Sequence, residues 1–244
     1  MKSYLLILLV LSACYSKVAA QDDTIRQSNY FFEQSALSYP KRSLTYNNQY
    51  FIINSLMYQI SNRLKFSAGT LITGERPPLY VTVQYAFPVS SNTNLGVSLG
   101  YFQITYDRYK SSYFVLPQVL LTKGDHRRNT TLSIGTTQGR FLLPGSFFNP
   151  MALNLPSRVN VLMSLSHRRP ITKNISLISQ NVYISSQVPT GSPYSNIFIL
   201  SIGGGWHIDK NAIKIGMSAL LFPNRNESKL ANFLPFLGYS RVIN

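Results

Sequence analysis

Three histidines, eight acids and one cysteine are the residues of this 244-residue chain that could carry acid-base, metal or nucleophilic chemistry. Their spacing supports none of it. His126, His167 and His207 lie far apart beside turn-like stretches, and no two have the close spacing that puts metal ligands together on one strand. A histidine base and a serine nucleophile two positions on would share one face of a strand. The places two after the histidines hold Arg128, Arg169 and Asp209 instead, and Ser166 immediately precedes His167, so the two point to opposite faces. The acids are scattered apart from Asp22-Asp23, which gives no carboxylate pair and no calcium cage. Gly203-Gly204-Gly205 does not lead into a helix as a phosphate-cradling loop does, and inside a strand such glycines mark a bend or bulge. No catalytic residue, metal ligand or cofactor site is expected.

The basic residues carry more information. Lys and Arg number 23 against 8 acids, a formal charge of +15. Arg63, Arg127, Arg128, Arg168, Arg169, Lys173 and Lys210 gather at short turns, and Lys41, Arg42, Arg76, Arg108, Lys110 and Arg225 fall in what read as longer loops. Solvated rims explain such a pattern. A functional reading takes Arg76, Arg108, Lys110, Lys41 and Arg42 as contacts for anionic small solutes or lipid phosphates. Nucleic acid is not expected, because neither a basic helical stripe nor an aromatic-basic sheet motif is present.

The elements that would position these residues are strands. Leu79 to Tyr106 states their rule: Leu79, Val81, Val83, Tyr85, Phe87 and Val89 are apolar with Tyr80, Thr82 and Gln84 between them, Ser90 to Asn94 turns, and Leu95, Val97, Leu99 and Tyr101 alternate with Gly96, Ser98 and Gly100. A period of two gives each arm one apolar face and one small or polar face. Each arm has the roughly 9 to 11 residues of a tilted membrane-crossing strand. Apolar residues toward lipid and small polar ones toward a lumen would suit it, although a half-buried strand of a soluble sandwich alternates too.

The amino terminus points outward from the cytoplasm. Residues 1–20 combine Lys2, an apolar run from Leu5 to Leu11 and Val18-Ala19-Ala20, the order of a cleaved signal peptide. A competing reading makes Leu11-Ser12-Ala13-Cys14 a lipobox with Cys14 lipidated. Cleavage after Ala20 removes the chain's one cysteine and leaves 21 basic against 8 acidic residues, a net +13. Only 13% of the residues are charged, about half the share usual in soluble domains. No later apolar run reaches the 18 to 20 or so residues that a membrane-spanning helix needs.

The remaining chain repeats the hairpin rule. Residues 21–29 read as a flexible segment and 30–244 as one domain. Tyr30 to Leu37 reads as a short first strand, broken at Pro40, and further arms follow at 50–60, 64–72, 113–122, 130–141, 159–167, 175–185, 197–208, 212–221 and 234–242. Arg168-Arg169-Pro170 reads as a turn, and Pro117 weakens its strand. Asn62, Asn94, Asn129, Asn174 and Asn211 each precede an alternating arm at a short turn, and the intervening connections are longer, above all Leu143 to Ser157 with Phe147-Phe148. The expected fold is all-β, an antiparallel transmembrane β-barrel of about 12 strands with both termini on the rim of short periplasmic turns and longer loops outside.

Tyr30-Phe31-Phe32, Ser35-Ala36-Leu37, Asn54-Ser55, Leu116-Pro117-Gln118-Val119 and Asp209-Lys210-Asn211-Ala212-Ile213 carry a resemblance across most of the mature chain. On them the chain resembles a group of uncharacterised outer-membrane β-barrel proteins of Gram-negative bacteria. That resemblance implies an outer-membrane barrel and brings no substrate or catalytic residue. The ending departs from the outer-membrane pattern, since Asn244 is not aromatic and Tyr239 is the nearest aromatic residue. The functional expectation is a non-catalytic passive pore, or a binding and structural barrel with basic rims. An outer-membrane lipid-modifying enzyme and a soluble secreted lipid-binding barrel are the alternatives.

Overall fold

The computed structural model describes residues 30, 35–49, 53–71, 77–107, 110–139, 141–143, 153–155, 160–185, 196–221 and 232–243. Arg76, Arg108, Arg225 and the Phe147-Phe148 pair lie outside them, as do the signal-like stretch and residues 21–29.

Twelve antiparallel strands close into one barrel. In chain order they are β1 (Leu44–Gln49), β2 (Ile53–Gln59), β3 (Leu64–Leu71), β4 (Leu79–Ser90), β5 (Thr93–Asp107), β6 (Lys110–Gly124), β7 (Asn129–Gly139), β10 (Asn160–Pro170), β11 (Ile175–Ser185), β12 (Asn196–Ile208), β13 (Asn211–Leu221) and β14 (Asn232–Val242). β8 (Phe141–Leu143) and β9 (Leu153–Leu155) pair only with each other, beyond the β7 to β10 step. Closure is made by β1 on β14, from Thr45 opposite Val242 to Gln49 opposite Gly238.

The parity read from the sequence sets the two surfaces. On β4 and β5, Leu79, Val83, Tyr85, Val97, Leu99 and Tyr101 are exposed on the outside, while Gln84, Ala86, Gly96 and Gly100 are buried inside. The same division continues round the barrel. Leu132, Ile134, Met163, Leu165, Leu200, Ile202, Ile215 and Met217 point out, and Thr131, Ser133, Ser164, Ser166, Ser201 and Ser218 point in. Inward hydroxyls bond across strands, with Ser133 to Ser164 at 2.9 Å, Ser201 to Ser218 at 2.8 Å and Thr122 to Thr131 at 2.7 Å. An apolar exterior around a polar interior is the reverse of a soluble barrel built to hold a lipid.

The strand count matches the expectation, but its membership differs. Tyr30 and residues 35–37, the described part of the first expected arm, are not in strand, and the first barrel strand is β1, whose Tyr46-Asn47-Asn48-Gln49 has too little apolar alternation to read as one. Arg168-Arg169-Pro170 is not a turn either; β10 continues through Pro170, paired with Ser176, and the turn is 171–174. Lys41 and Arg42 were expected in a long loop. They sit instead in a tight turn at the rim of short connections, where Ser43 N–H donates to Pro40 C=O at 3.1 Å and Arg42 has φ 68°. Asp107 pairs with Lys110, so the strands run almost to the end of the connection that reads as a loop, and Lys110 starts β6 at the opposite rim. Pro117 interrupts the β6–β7 ladder, whose partners skip from Val115 to Gln118, as a residue without an N–H requires. Gly203 permits a close strand approach: a Cβ there would stand 2.2 Å from Ile215 O.

The exterior leads to a stability prediction. Leu99→Arg, on the apolar face, is expected to cost about 2 to 4 kcal/mol if the site lies near the bilayer midplane. Ser98→Asn, on the inner face beside Gln118, is expected to leave folding nearly unchanged. Urea titration of refolding in lipid vesicles checks both.

Candidate functional site: the filled end of the lumen

The rim of short turns has a floor, and the chain's own N-terminal segment forms part of it. Tyr30 spans the lumen. Its hydroxyl donates to Asn129 Oδ1 at 2.5 Å and lies 2.8 Å from Thr131 Oγ1 on β7, while its carbonyl accepts from Lys214 Nζ of β13 at 2.8 Å. Its ring joins Ile178 of β11 and Phe236 of β14 in a small apolar kernel. Ser35 C=O accepts from Gln84 Nε2 of β4 at 2.9 Å and from Lys65 Nζ of β3 at 3.4 Å, and Ala36 N–H donates to Thr122 Oγ1 of β6 at 2.8 Å. Ala36 fits against Gly96 of β5, where a Cβ would lie 3.0 Å from its own. Tyr39 packs its ring 5.4 Å from His126 and beneath Lys65 Nζ at 5.7 Å, before the Pro40 to Ser43 turn feeds β1.

These contacts explain why residues of strand-like composition do not join the ladder. An inner wall of hydroxyls, amides and cations closed within about a dozen strands leaves buried polar groups that must be hydrogen-bonded. The segment supplies both donors and acceptors. Lys65, Arg168 and Lys214 are buried in this floor, Arg168 being only 1% exposed. Arg168 donates through Nη2 to His207 Nε2, and Ser176 Oγ stands 3.4 Å from the same nitrogen.

The histidines are therefore not solvated turn residues. His207 is buried on β12 as the acceptor of Arg168. His167 lies on β10, its Nδ1 2.8 Å from Thr130 Oγ1. His126 is in the 125–128 turn, where Asp125 Oδ1 accepts from Arg127 N–H at 2.7 Å and Arg128 N–H at 2.8 Å. Those bonds, that of Arg128 foremost, hold the Asp125 carboxyl below its ordinary range. Burial under the segment pushes His126 below its ordinary value, against the opposing effects of a hydrogen bond to the Ser38 backbone and the Asp125 charge; Arg168 and Lys65 push the same way as burial. Its Nδ1 is buried with no partner among the described residues.

Two small clefts reach the floor. One, at the rim, is lined by Arg127, Lys173, Arg168, Ser176 and His207, and the other passes Gln49, Gly238 and Ser240 to Lys214. The turns presenting the rim cations are fixed, by Asp125 for Arg127 and by Thr172 Oγ1, which accepts from Ile175 N–H at 3.1 Å, for Lys173. At the other end of the lumen the inward Tyr80, Phe102 and Phe114 stack across β4, β5 and β6, at 5.7 and 4.5 Å between ring centres. Among the described residues no group of His, Cys, Asp or Glu could hold a metal ion.

No protein-family model matches the sequence, and no curated protein matches it. Among solved structures, the NanC porin aligns over 82% of this chain and 98% of its own, at 11% identity and a TM-score of 0.56. This is a porin-type fold. OprD of Pseudomonas aeruginosa aligns over 79% of this chain and 60% of its own (11% identity, TM-score 0.46), and the translocator domain of the autotransporter NalP from Neisseria meningitidis over 82% and 86% (9%, 0.45).

Of the expected contact residues, Lys41 and Arg42 are exposed on the floor's rim and Lys110 starts its strand at the opposite rim, while Arg76 and Arg108 lie outside the described residues. The floor cations Lys65, Arg168 and Lys214 were missed as a set. Parity could have found them, since each holds a polar, inward position on an alternating arm.

Two outcomes follow. Tyr30→Phe removes the hydroxyl bonded to Asn129 Oδ1 and Thr131 Oγ1, while Thr131 keeps Thr122 and Asn129 keeps the Asp125 carbonyl, and it is expected to weaken docking of the segment by about 1 kcal/mol. The undocked His126 takes a proton near the ordinary 6.5 and the docked one resists it, so docking is fully favoured above that pH and weakens as pH falls through it. Alkylation of Ala36→Cys, scaled to the same variant in denaturant, is expected to quicken from pH 7.5 to 5.5. His126→Gln should flatten that dependence.

Proposed function

We propose that this chain is a non-catalytic outer-membrane channel, passing small solutes, whose lumen is held shut at one end by Tyr30 and residues 35–39. The observation that carries this reading is a closed barrel with an apolar exterior, a polar hydroxyl-rich interior and a floor donated by a chain end. The porin-type fold supports the location. The inverted polarity speaks against the soluble lipid-binding alternative, and the engagement of His207 by Arg168 speaks against the lipid-modifying one. Short turns would face the periplasm and the long connections the outside.

The charge supports an anion preference, with Arg76, Arg108 and Lys110 at the outer mouth and Lys41 and Arg42 at the inner one, there also meeting lipid phosphates. Screening shortens the reach of such exposed charges from about 8 Å at physiological ionic strength to about 3 Å at 1 M, so the preference shrinks with salt.

Planar-bilayer recording tests the reading. The folded protein is expected to conduct in brief openings, and Ala36→Trp, too large for the space facing Gly96, is expected to lengthen them. Silence of both proteins at every salt concentration would leave a structural or binding barrel. Orientation is checked separately: Phe148→Cys should label from outside intact cells, and Asn62→Cys or Asn174→Cys only after the outer membrane is opened.

A further inference from the structure

The apolar exterior carries a polar spot on β11. The outward positions of that strand are Ile175, Leu177, Ser179, Asn181 and Tyr183, with Asn181 exposed and Ser179 half-buried. Asn181 lies six residues on from Ile175 at the turn rim. At about 3.3 Å per residue and a strand tilt of about 40° that is a height of about 15 Å, near the middle of an apolar band about 25 Å tall. Its ladder partners are Leu165 of β10 and Leu200 of β12, both exposed. The other outward asparagines of the described strands are satisfied within the chain. Asn48 Nδ2 donates to Asn54 Oδ1 at 2.8 Å, Tyr183 Oη to Asn196 Oδ1 at 3.0 Å and Tyr239 Oη to Asn211 Oδ1 at 2.7 Å. Asn181 has no such partner among the described residues. A carboxamide brings two donors and an acceptor to that depth, where lipid tails offer neither, and its side chain is too short to reach the headgroups. Left to lipid it is a cost; met by another protein surface it is an attachment point.

We propose that the β10 to β12 face, centred on Asn181, is the interface of a homodimer, with the two Asn181 carboxamides hydrogen-bonded to each other across a two-fold axis along the membrane normal. Polar complementarity selects a second copy as the partner. A carboxamide is its own complement, since the N–H of each can donate to the carbonyl oxygen of the other in a reciprocal pair. A two-fold along the normal brings a residue against itself while both barrels keep the same orientation in the membrane. Apolar area does not favour protein over lipid here, because lipid tails are as apolar as leucine; hydrogen bonds and close packing decide association in a bilayer. Gly204, outward on β12 opposite Leu177, helps the walls approach, since a Cβ there would meet only Ser176 O at 3.9 Å. The proposal goes beyond the channel reading and rests on the exterior of the barrel lying in hydrocarbon.

The test uses the full chain refolded into phospholipid vesicles, with Cys14→Ser in every variant so that each introduced thiol stands alone. A thiol on the axis meets its twin within disulfide range. Oxidation of Asn181→Cys is therefore expected to give a linked dimer at least tenfold faster than oxidation of Val83→Cys, which is exposed on β4 at the far wall of the barrel. Energy transfer between copies labelled at Asn62→Cys, in an exposed turn, is then followed as lipid is added. Asn181→Leu is expected to lose transfer at a lipid-to-protein ratio at least tenfold lower than the unaltered face, and Asn181→Gln, which keeps the amide, at a ratio between the two. Heat-modifiable gel mobility reports folding and insertion of each variant. Equal cross-linking of Asn181→Cys and Val83→Cys overturns the proposal, as does energy transfer unchanged by Asn181→Leu. The failures separate: an inserted chain that conducts as a monomer removes the dimer and keeps the channel, a dimer that never conducts does the reverse, and a chain that does not enter vesicles removes both.

Discussion

Everything in this molecule depends on the meeting of β1 with β14. A sheet in hydrocarbon has no water to satisfy the N–H and C=O groups of its edge strands, so a spanning sheet must have no edges. The register from Thr45–Val242 to Gln49–Gly238 meets that requirement with the two ends of the barrel. Alternation then has no freedom left: one face of each strand meets the apolar surroundings and the other meets its opposite numbers across the lumen.

The second constraint follows from the first. Twelve strands enclose a lumen narrow enough that inward Lys65, Arg168, Lys214, Gln84 and the threonines of β6 and β7 are buried near the turn rim. Buried polar groups left alone would be costly, and the wall satisfies only some of them within itself. Tyr30, Ser35 and Ala36 supply partners for several of the others with a phenol hydroxyl, backbone carbonyls and an amide N–H. A polar wall and an internal segment are thus two halves of one hydrogen-bonded layer.

The barrel was largely legible and its floor was not, for the same physical reason. Alternation is local, so Leu79 to Tyr106 shows its two faces without reference to any other strand, and the asparagine turns mark where arms begin. The fate of Tyr30 to Leu37 is decided by partners from β3 to β14 that lie far away in sequence. Tyr30-Phe31-Phe32 has strand composition, and only the fold shows that Tyr30 spends its hydroxyl on Asn129 rather than its backbone on a ladder. β1 was passed over because its inner positions, Thr45 and Asn47, and its neighbour Asn48 make a strand with little apolar contrast. Arg168-Arg169-Pro170 misled in the opposite direction. Two cations and a proline have turn composition, yet Pro170 closes β10 opposite Ser176 and Arg168 faces inward.

The Pro40 to Ser43 turn makes the internal segment a tethered ligand rather than a separate one. Undocked, it stays attached to β1 at the lumen's mouth, so its local concentration there is set by a short stretch of chain and is of millimolar order. It cannot be diluted away or washed out, and every departure is followed by a rapid return.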